Sequence, residues 1–443
     1  MTVPEAVAAD APYPPLPKAW LAAGVLAVAT VFAFVDRLLL NILVDPVRQT
    51  LGITDTRVSV LQGMAFILFY LLFSLPIGWL LDRRNRRNVM IAGVLTWSVM
   101  TLACGVAGDF WTLFAARAGV GIGEACLAPA AFSMIADYFP QRLRGRAMAL
   151  VVMSSTTGSG SSFLLAGAVA RVVPGAGQVD LPLLGATYGW QLTFFAAGLP
   201  GLLIAALLLL VREPPRRRAV APAGDVLPAS GLRGYMRANA AILLLLIGAA
   251  GLFAMGSNAL VAWMAALYTR HYGADVAELG FTLGLINILV GLPGGLAGGF
   301  LSDWFAARAH RGGRMNVMCL GSLFCILPIA LWPNAGSYHL SLVLLALCQF
   351  SFPLIIASIP STLHAIVPSP FRGRMTAVLY LANGVMGTAM GPFVIAAATD
   401  HVFAGGGVRW SLMVLLPLIV AAGCALSFAG RAAYQRAQAA MAD

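Results

Sequence analysis

A chain of 443 residues that is 60% hydrophobic and 10% charged, with a mean hydropathy of +0.86, falls outside the soluble globular range, where about a quarter of residues carry charge. The composition excludes a soluble enzyme and leaves a polytopic membrane protein. The net charge of +11 comes from one lysine and 27 arginines against 17 acids, and basic loops at a membrane surface account for it without nucleic acid.

In chain order, apolar stretches begin near residues 20, 58, 88, 110, 146, 190, 240, 278, 315, 338, 374 and 410. Each is about 20 residues long, enough for a helix to cross a hydrocarbon core of ~30 Å. Sustained alternation of the barrel type is absent. The expected fold is an all-α membrane protein of 12 helices in two six-helix bundles. Its expected parts are a tail (1–18), a first bundle (19–211), a linker (212–239), a second bundle (240–431) and a tail (432–443). Counted by loop, 21 basic residues lie on the side of both termini and five on the other (Arg48, Arg57, Arg171, Arg270, Arg409). Basic residues concentrate on the cytoplasmic side of membrane proteins, so both termini are expected there. The first 18 residues hold prolines and acids but no basic start, so a cleaved signal peptide is not expected. The six cysteines lie inside apolar segments at spacings that fit no zinc motif, and neither a metal nor a cofactor is expected.

The halves echo one another. "GWLLDRRNRR" from Gly78 returns as "GFLSDWFAAR" from Gly299, and "PQRLRGRAM" from Pro140 returns as "PSPFRGRMT" from Pro368. Asp82 and Asp303 are 221 residues apart, and Arg144 and Arg372 are 228 apart. Such a duplication builds two bundles with a substrate site at the level of the midplane. The Gly78 to Arg87 stretch resembles the signature loop between helices 2 and 3 of the major facilitator superfamily. An acid at a helix end can accept hydrogen bonds from loop arginines. Gly78, Asp82, Arg83, Arg86, Arg87, Arg144, Asp303 and Arg372 are therefore candidates for a conformational latch.

Two helices carry charges inside their apolar runs. The first reads "FVDRLLLN" from Phe34, and the fourth reads "FAARAGVGIGEACLAPAAF" with Arg117 and Glu124 seven residues apart. Charges at that depth cost roughly 2.5–3.5 kcal/mol each on an insertion scale and mark function by default. Counting along the helices at ~1.5 Å per residue puts Asp36, Arg37 and Arg117 at one level and Glu124 deeper. Adjacent residues project about 100° apart, so one of Asp36 and Arg37 faces the cavity and the other helix 4. An ion pair between Asp36 and Arg117 could simply tie the helices together. Alternatively, Asp36 and Glu124 serve proton coupling while Arg37 and Arg117 hold a substrate head group or relay charge.

The runs "VDRLLLNILVDPVRQTLGITDTRVSVLQGMAFILFYLLFSLPIGWLLDRRNRR" and "RAGVGIGEACLAPAAFSMIADYFPQRLRGRA" resemble the spinster branch of that superfamily, whose animal members carry lysophospholipids or sphingosine-type lipids. The resemblance implies proton-coupled transport through residues matching Asp36, Arg37, Arg117 and Glu124. It also resembles organic-anion and sugar-acid symporters, and a multidrug antiporter is a third reading. Tyr70, Asn258, Trp263, Asn287, Gln349 and Asn383 are cavity candidates, and each serves equally well as interhelical glue. The scattered histidines, His310 and His364 among them, form no catalytic set. The partners expected are an amphiphilic small molecule, protons and the bilayer, with the chain a monomer in a bacterial inner membrane.

Overall fold

The computed structural model describes residues 13–173, 176–182, 185–217, 231–308, 312–403 and 407–439. Arg218, His310, Arg311, part of the expected linker (218–230) and the chain ends lie outside the described residues. Twelve helices among the described residues are long and apolar enough to cross a membrane. Spans 1 to 6 are Leu16–Asn41, Asp55–Arg83, Arg86–Gly105, Phe110–Tyr138, Gln141–Ala170 and Gly189–Leu209. Spans 7 to 12 are Ala240–Tyr272, Val276–Ala307, Met315–Asn334, Tyr338–His364, Ser369–His401 and Gly407–Ala439.

The helices begin near the apolar onsets but overrun the expected domain edges. Lys18 is already helical, and span 12 continues past Arg431 to Ala439. A short helix, Gly231–Ala238, occupies part of the expected linker, anchored where the Tyr235 hydroxyl donates to the Ile366 carbonyl at 2.7 Å. Backbone hydrogen bonding, unlike hydropathy, continues into charged sequence, which is why helix ends outlast apolar ones.

The chain forms two compact units, residues 1–220 with 274–288 and residues 221–273 with 289–443. In the first, span 1 packs on span 5, span 3 on spans 4 and 6, and span 2 on span 4. In the second, span 7 packs on spans 11 and 12, and span 9 on spans 10 and 12. The pairs 1–5, 3–6 and 3–4 thus recur as 7–11, 9–12 and 9–10. The sequence repeat is a packing repeat.

Among the described residues, three spans are interrupted internally. Span 2 contains a π-helical stretch at Val60–Met64 and span 11 another at Asn383–Met390. Span 4 breaks into Phe110–Glu124 and Leu127–Tyr138 around Ala125 and Cys126. Its first half starts at a capping box, in which Asp109 accepts from the Trp111 and Thr112 amides at 2.7 and 3.1 Å. Those hydrogen bonds, to Thr112 first, hold the Asp109 carboxyl below the usual carboxylate range. Between spans 5 and 6 lies a hairpin of β1 (Gln178–Leu181) and β2 (Gly185–Tyr188), which the hydropathy pattern did not announce. Strands of four residues are too short for alternation to register.

Candidate functional site

The first unit concentrates intramembrane charge where spans 1 and 4 approach. Gly121 and Gly123 let span 4 lie close against spans 2 and 3. A Cβ at Gly121 would lie 2.4 Å from the Phe66 carbonyl oxygen, and one at Gly123 would lie 2.6 Å from the Trp97 amide nitrogen. Only hydrogen fits at either place.

Span 1 loses α-helical geometry at Leu38 and continues as a 3-10 turn, Leu39–Asn41. Carbonyls near such an end need donors. The fully buried Arg117 supplies them. Its Nη1 donates to the Asp36 carbonyl at 2.9 Å, its Nη2 to the Arg37 carbonyl at 2.8 Å, and its Nε to the Leu61 carbonyl at 3.3 Å. Leu61 lies in the π-helical stretch of span 2, where the widened turn leaves carbonyl capacity for a side chain. The guanidinium therefore braces three carbonyls on two helices, spans 1 and 2.

That arrangement corrects one alternative from the sequence, because Arg117 makes no ion pair with the Asp36 carboxylate. Asp36 instead accepts from the Thr101 hydroxyl of span 3 at 3.2 Å. The ion pair is between the other two charges. Arg37 Nη2 and Nε donate to the same Glu124 oxygen, Oε2, at 2.5 and 3.2 Å. The long arginine side chain covers the depth difference that separates Glu124 from the level of span 1's charges. Its guanidinium carbon lies 4.4 Å from the Phe66 ring centre, 4.6 Å from Phe34 and 5.6 Å from Tyr70. Cation–π attraction adds to the pairing.

Two buried carboxylate oxygens lack a hydrogen-bond partner among the described residues, Asp36 Oδ1 and Glu124 Oε1. Unsatisfied buried acceptors are costly, and a proton on either would turn it into a donor. The pair is also unequally buried: the Arg37 side chain is 22% exposed and that of Glu124 1%. Arg37 is thus the reachable member.

The remaining cavity candidates divide. Tyr70 is half-buried and stacks on Phe66 with ring centres 5.6 Å apart, so it belongs to the wall beside Arg37. Trp263 is fully buried, and its indole N–H donates to the Pro392 carbonyl at 2.9 Å, which makes it packing between spans 7 and 11. The Asn258 amide donates to the Ala254 carbonyl at 2.8 Å within its own helix. Asn287 and Gln349 are buried, and Asn383, at the start of the π stretch in span 11, keeps a buried oxygen without a partner among the described residues.

Among the latch candidates, Arg86 and Arg87 join a network whose acids are Asp137 and Glu213 rather than Asp82. Asp82 is exposed, and its backbone carbonyl, not its carboxylate, accepts from Arg216. Arg86 is the buried hub, donating to Asp137 Oδ2 at 2.6 Å, Glu213 Oε1 at 2.9 Å and the Ser133 hydroxyl at 2.7 Å. Arg87 donates its amide to Glu213 at 3.2 Å, and Arg144 reaches the Ala136 carbonyl at 2.8 Å. Arg83 stacks on Trp79, with its guanidinium carbon 4.3 Å from the ring centre. Gly78 has nothing within 4 Å of a Cβ. In the second unit Asp303 lies 3.8 Å from Arg314 with 82% of its side chain exposed, and Arg372 donates to the Val367 carbonyl at 3.1 Å. Sequence reading missed Asp137, Glu213 and Thr101. Asp137 in "IADYFP" and Glu213 in "REPP" sit at helix ends beside basic loops, and that position was the available signal.

Twelve membrane helices in a duplicated packing, with a neutral quartet of charges buried inside, define a polytopic membrane transporter. Residues 26–392 match the Major Facilitator Superfamily, and the chain belongs to that family. An "MFS-type efflux pump" of Mycolicibacterium smegmatis is 28% identical over 407 residues, covering 91% of this chain and 90% of the relative. The Escherichia coli K12 protein named "Probable L-galactonate transporter" is 26% identical, covering 79% and 75%. "Protein spinster" of Drosophila melanogaster is 24% identical, covering 86% of this chain and 62% of the relative. Among solved structures, an inward-facing, unoccupied bacterial homologue of the human lysosomal transporter Spinster superposes with a TM-score of 0.79 at 24% identity, covering 96% and 98%. The chain is a transporter of this superfamily rather than an enzyme.

Proposed function

We propose that the protein is a proton-coupled secondary transporter of amphiphilic lipids of the lysophospholipid or sphingoid type, working by alternating access. It acts as a monomer in a bacterial inner membrane with both termini cytoplasmic. The observation that carries the coupling is the Arg37–Glu124 pair, in which one carboxylate oxygen is bonded twice and the other is buried without a partner. A proton arriving at Glu124 weakens its hold on Arg37. The freed guanidinium, flanked by Phe34, Phe66 and Tyr70, then offers a cation beside apolar rings, which suits a phosphate attached to an acyl chain. Loss of the proton recaptures Arg37 and releases the anion. Asp36 takes a second protonation role through its unpartnered oxygen.

The substrate class rests on resemblance to the spinster proteins and on the aromatic setting of Arg37. Similarity to an L-galactonate transporter supports a second reading, a sugar-acid symporter using the same charges. Uptake of labelled lysophosphatidylglycerol and of labelled galactonate into proteoliposomes, with and without an inward proton gradient, separates them. The lipid reading predicts gradient-dependent uptake of the lysolipid alone, abolished by Arg37→Ala. Uptake of galactonate alone would transfer the assignment to the sugar acids.

A further inference from the structure

Outside the charged quartet, the first unit carries a groove of about 540 Å3 walled by spans 2, 3 and 4. Its body is apolar and smooth. Ile77 and Leu80 form one wall, Val89 and Ala92 another, and Ile122 and Gly123 the floor. Thr96 also lines it, but its hydroxyl is spent on the Ala92 carbonyl at 2.8 Å, leaving a methyl group to the groove. The floor is shallow because spans 3 and 4 cross backbone to backbone. A Cβ on Gly93 would lie 2.7 Å from the Gly123 carbonyl oxygen, so no side chain rises there.

One end of the groove is polar. Arg84, Asn85 and Asn88 line it, all exposed, at the loop where span 2 gives way to span 3. Among the described residues the Arg84 guanidinium makes no side-chain hydrogen bond or ion pair. Asp82, in the last turn of span 2, does not line the groove. A long apolar channel within the membrane-spanning part of the unit, closed by a cation and two amides at the membrane surface, matches one acyl chain and an anionic head group.

We infer that this groove is a binding site for an anionic bilayer phospholipid, its phosphate at Arg84 and one acyl chain along Ala92, Thr96 and Ile122. The occupant is a resident lipid, not transported substrate. Ile122, Gly123 and Cys126 form the floor, the first two just before Glu124 and the third within the break at Ala125 and Cys126. The bound chain therefore backs the interrupted segment of span 4 that positions Glu124, and lipid occupancy stiffens it.

Native mass spectrometry of the full chain in detergent, with palmitoyl-oleoyl phosphatidylglycerol or phosphatidylcholine added, tests the site without any transport measurement. Phosphatidylglycerol should be retained in preference, and Arg84→Gln should weaken its retention about fivefold, the worth of one arginine near a membrane surface. Ala92→Phe, which places a ring in the groove from an exposed position, should displace both lipids and abolish the rise in thermal unfolding midpoint that phosphatidylglycerol gives the unaltered chain. Arg233→Gln, an exposed arginine of the second unit, should change nothing. Equal retention of the two lipids, or an equal loss in Arg233→Gln, would overturn the site in favour of diffuse attraction. A shift from dimer to monomer in Ala92→Phe with lipid retention intact would give the groove to a second copy of the chain and overturn it as well.

Discussion

Arg37 and Glu124 are joined by two hydrogen bonds to one oxygen, and the acid is the more deeply buried of the two. Removing the arginine strands a buried carboxylate, at a cost of about 3–5 kcal/mol. Arg37→Ala should therefore lower the unfolding midpoint in detergent more than Glu124→Gln, which leaves a neutral amide within reach of the guanidinium. The double variant Arg37→Ala/Glu124→Gln should recover part of the loss, because nothing charged is left unpaired. Arg117 predicts differently. It serves three carbonyls through a planar fork, and a lysine cannot reproduce that geometry. Arg117→Lys should cost about 2–3 kcal/mol by the same unfolding measurement, although charge is conserved. The four charges were visible in the sequence because any charge in an apolar run stands out. Their pairing was not, since counting along helices gives depth but leaves the direction of a long arginine side chain open. It is Arg37 that meets the acid, while Arg117 is committed to backbone carbonyls. Thr101 escaped notice because a threonine in an apolar helix is unremarkable until its neighbour is known.

At the level of elements, span 4 is the fragile one. It is broken after Glu124, thinned by glycines and started by a single capping box. Gly123→Ala would force a methyl group to 2.6 Å from the Trp97 amide nitrogen, and overpacking of this kind costs about 1–3 kcal/mol. The Asp109 cap adds a pH dependence. The Asp109 carboxyl titrates below its unfolded value, so its contribution is complete above the usual carboxylate range, near pH 4, and is lost as pH falls through the lower folded value. Amide protection factors over the first turn of span 4, after Asp109, should fall on acidification below about pH 4, and Asp109→Ala should show that lower protection already at neutral pH. The twelve helices were legible as apolar runs, whereas the break in span 4 and the π stretches were not. Each interruption depends on what a neighbouring helix donates, as Arg117 does to Leu61, and hydropathy carries no such information.

For the whole molecule, the repeated loops announced a duplication that three helix pairings repeat in each unit. The loop chemistry was read less well. Asp82 was the acid that the motif brought forward, yet the arginine hub at the end of the first unit is satisfied by Asp137 and Glu213. Helix-end acids far apart in sequence are joined only by the fold. The proposed orientation makes a plain prediction: tags on both termini should resist protease in intact spheroplasts and be cut after lysis. Cleavage of either tag in intact spheroplasts would reverse it. In the proposed mechanism Glu124 passes protonation to Arg37 and so drives transport. This coupling is tested most directly by comparing two modes in proteoliposomes of Glu124→Gln, using whichever substrate the unaltered protein accumulates. The account predicts that exchange of labelled for unlabelled substrate continues without a gradient while gradient-driven accumulation disappears. Accumulation that persists in Glu124→Gln at the unaltered protein's level would contradict it.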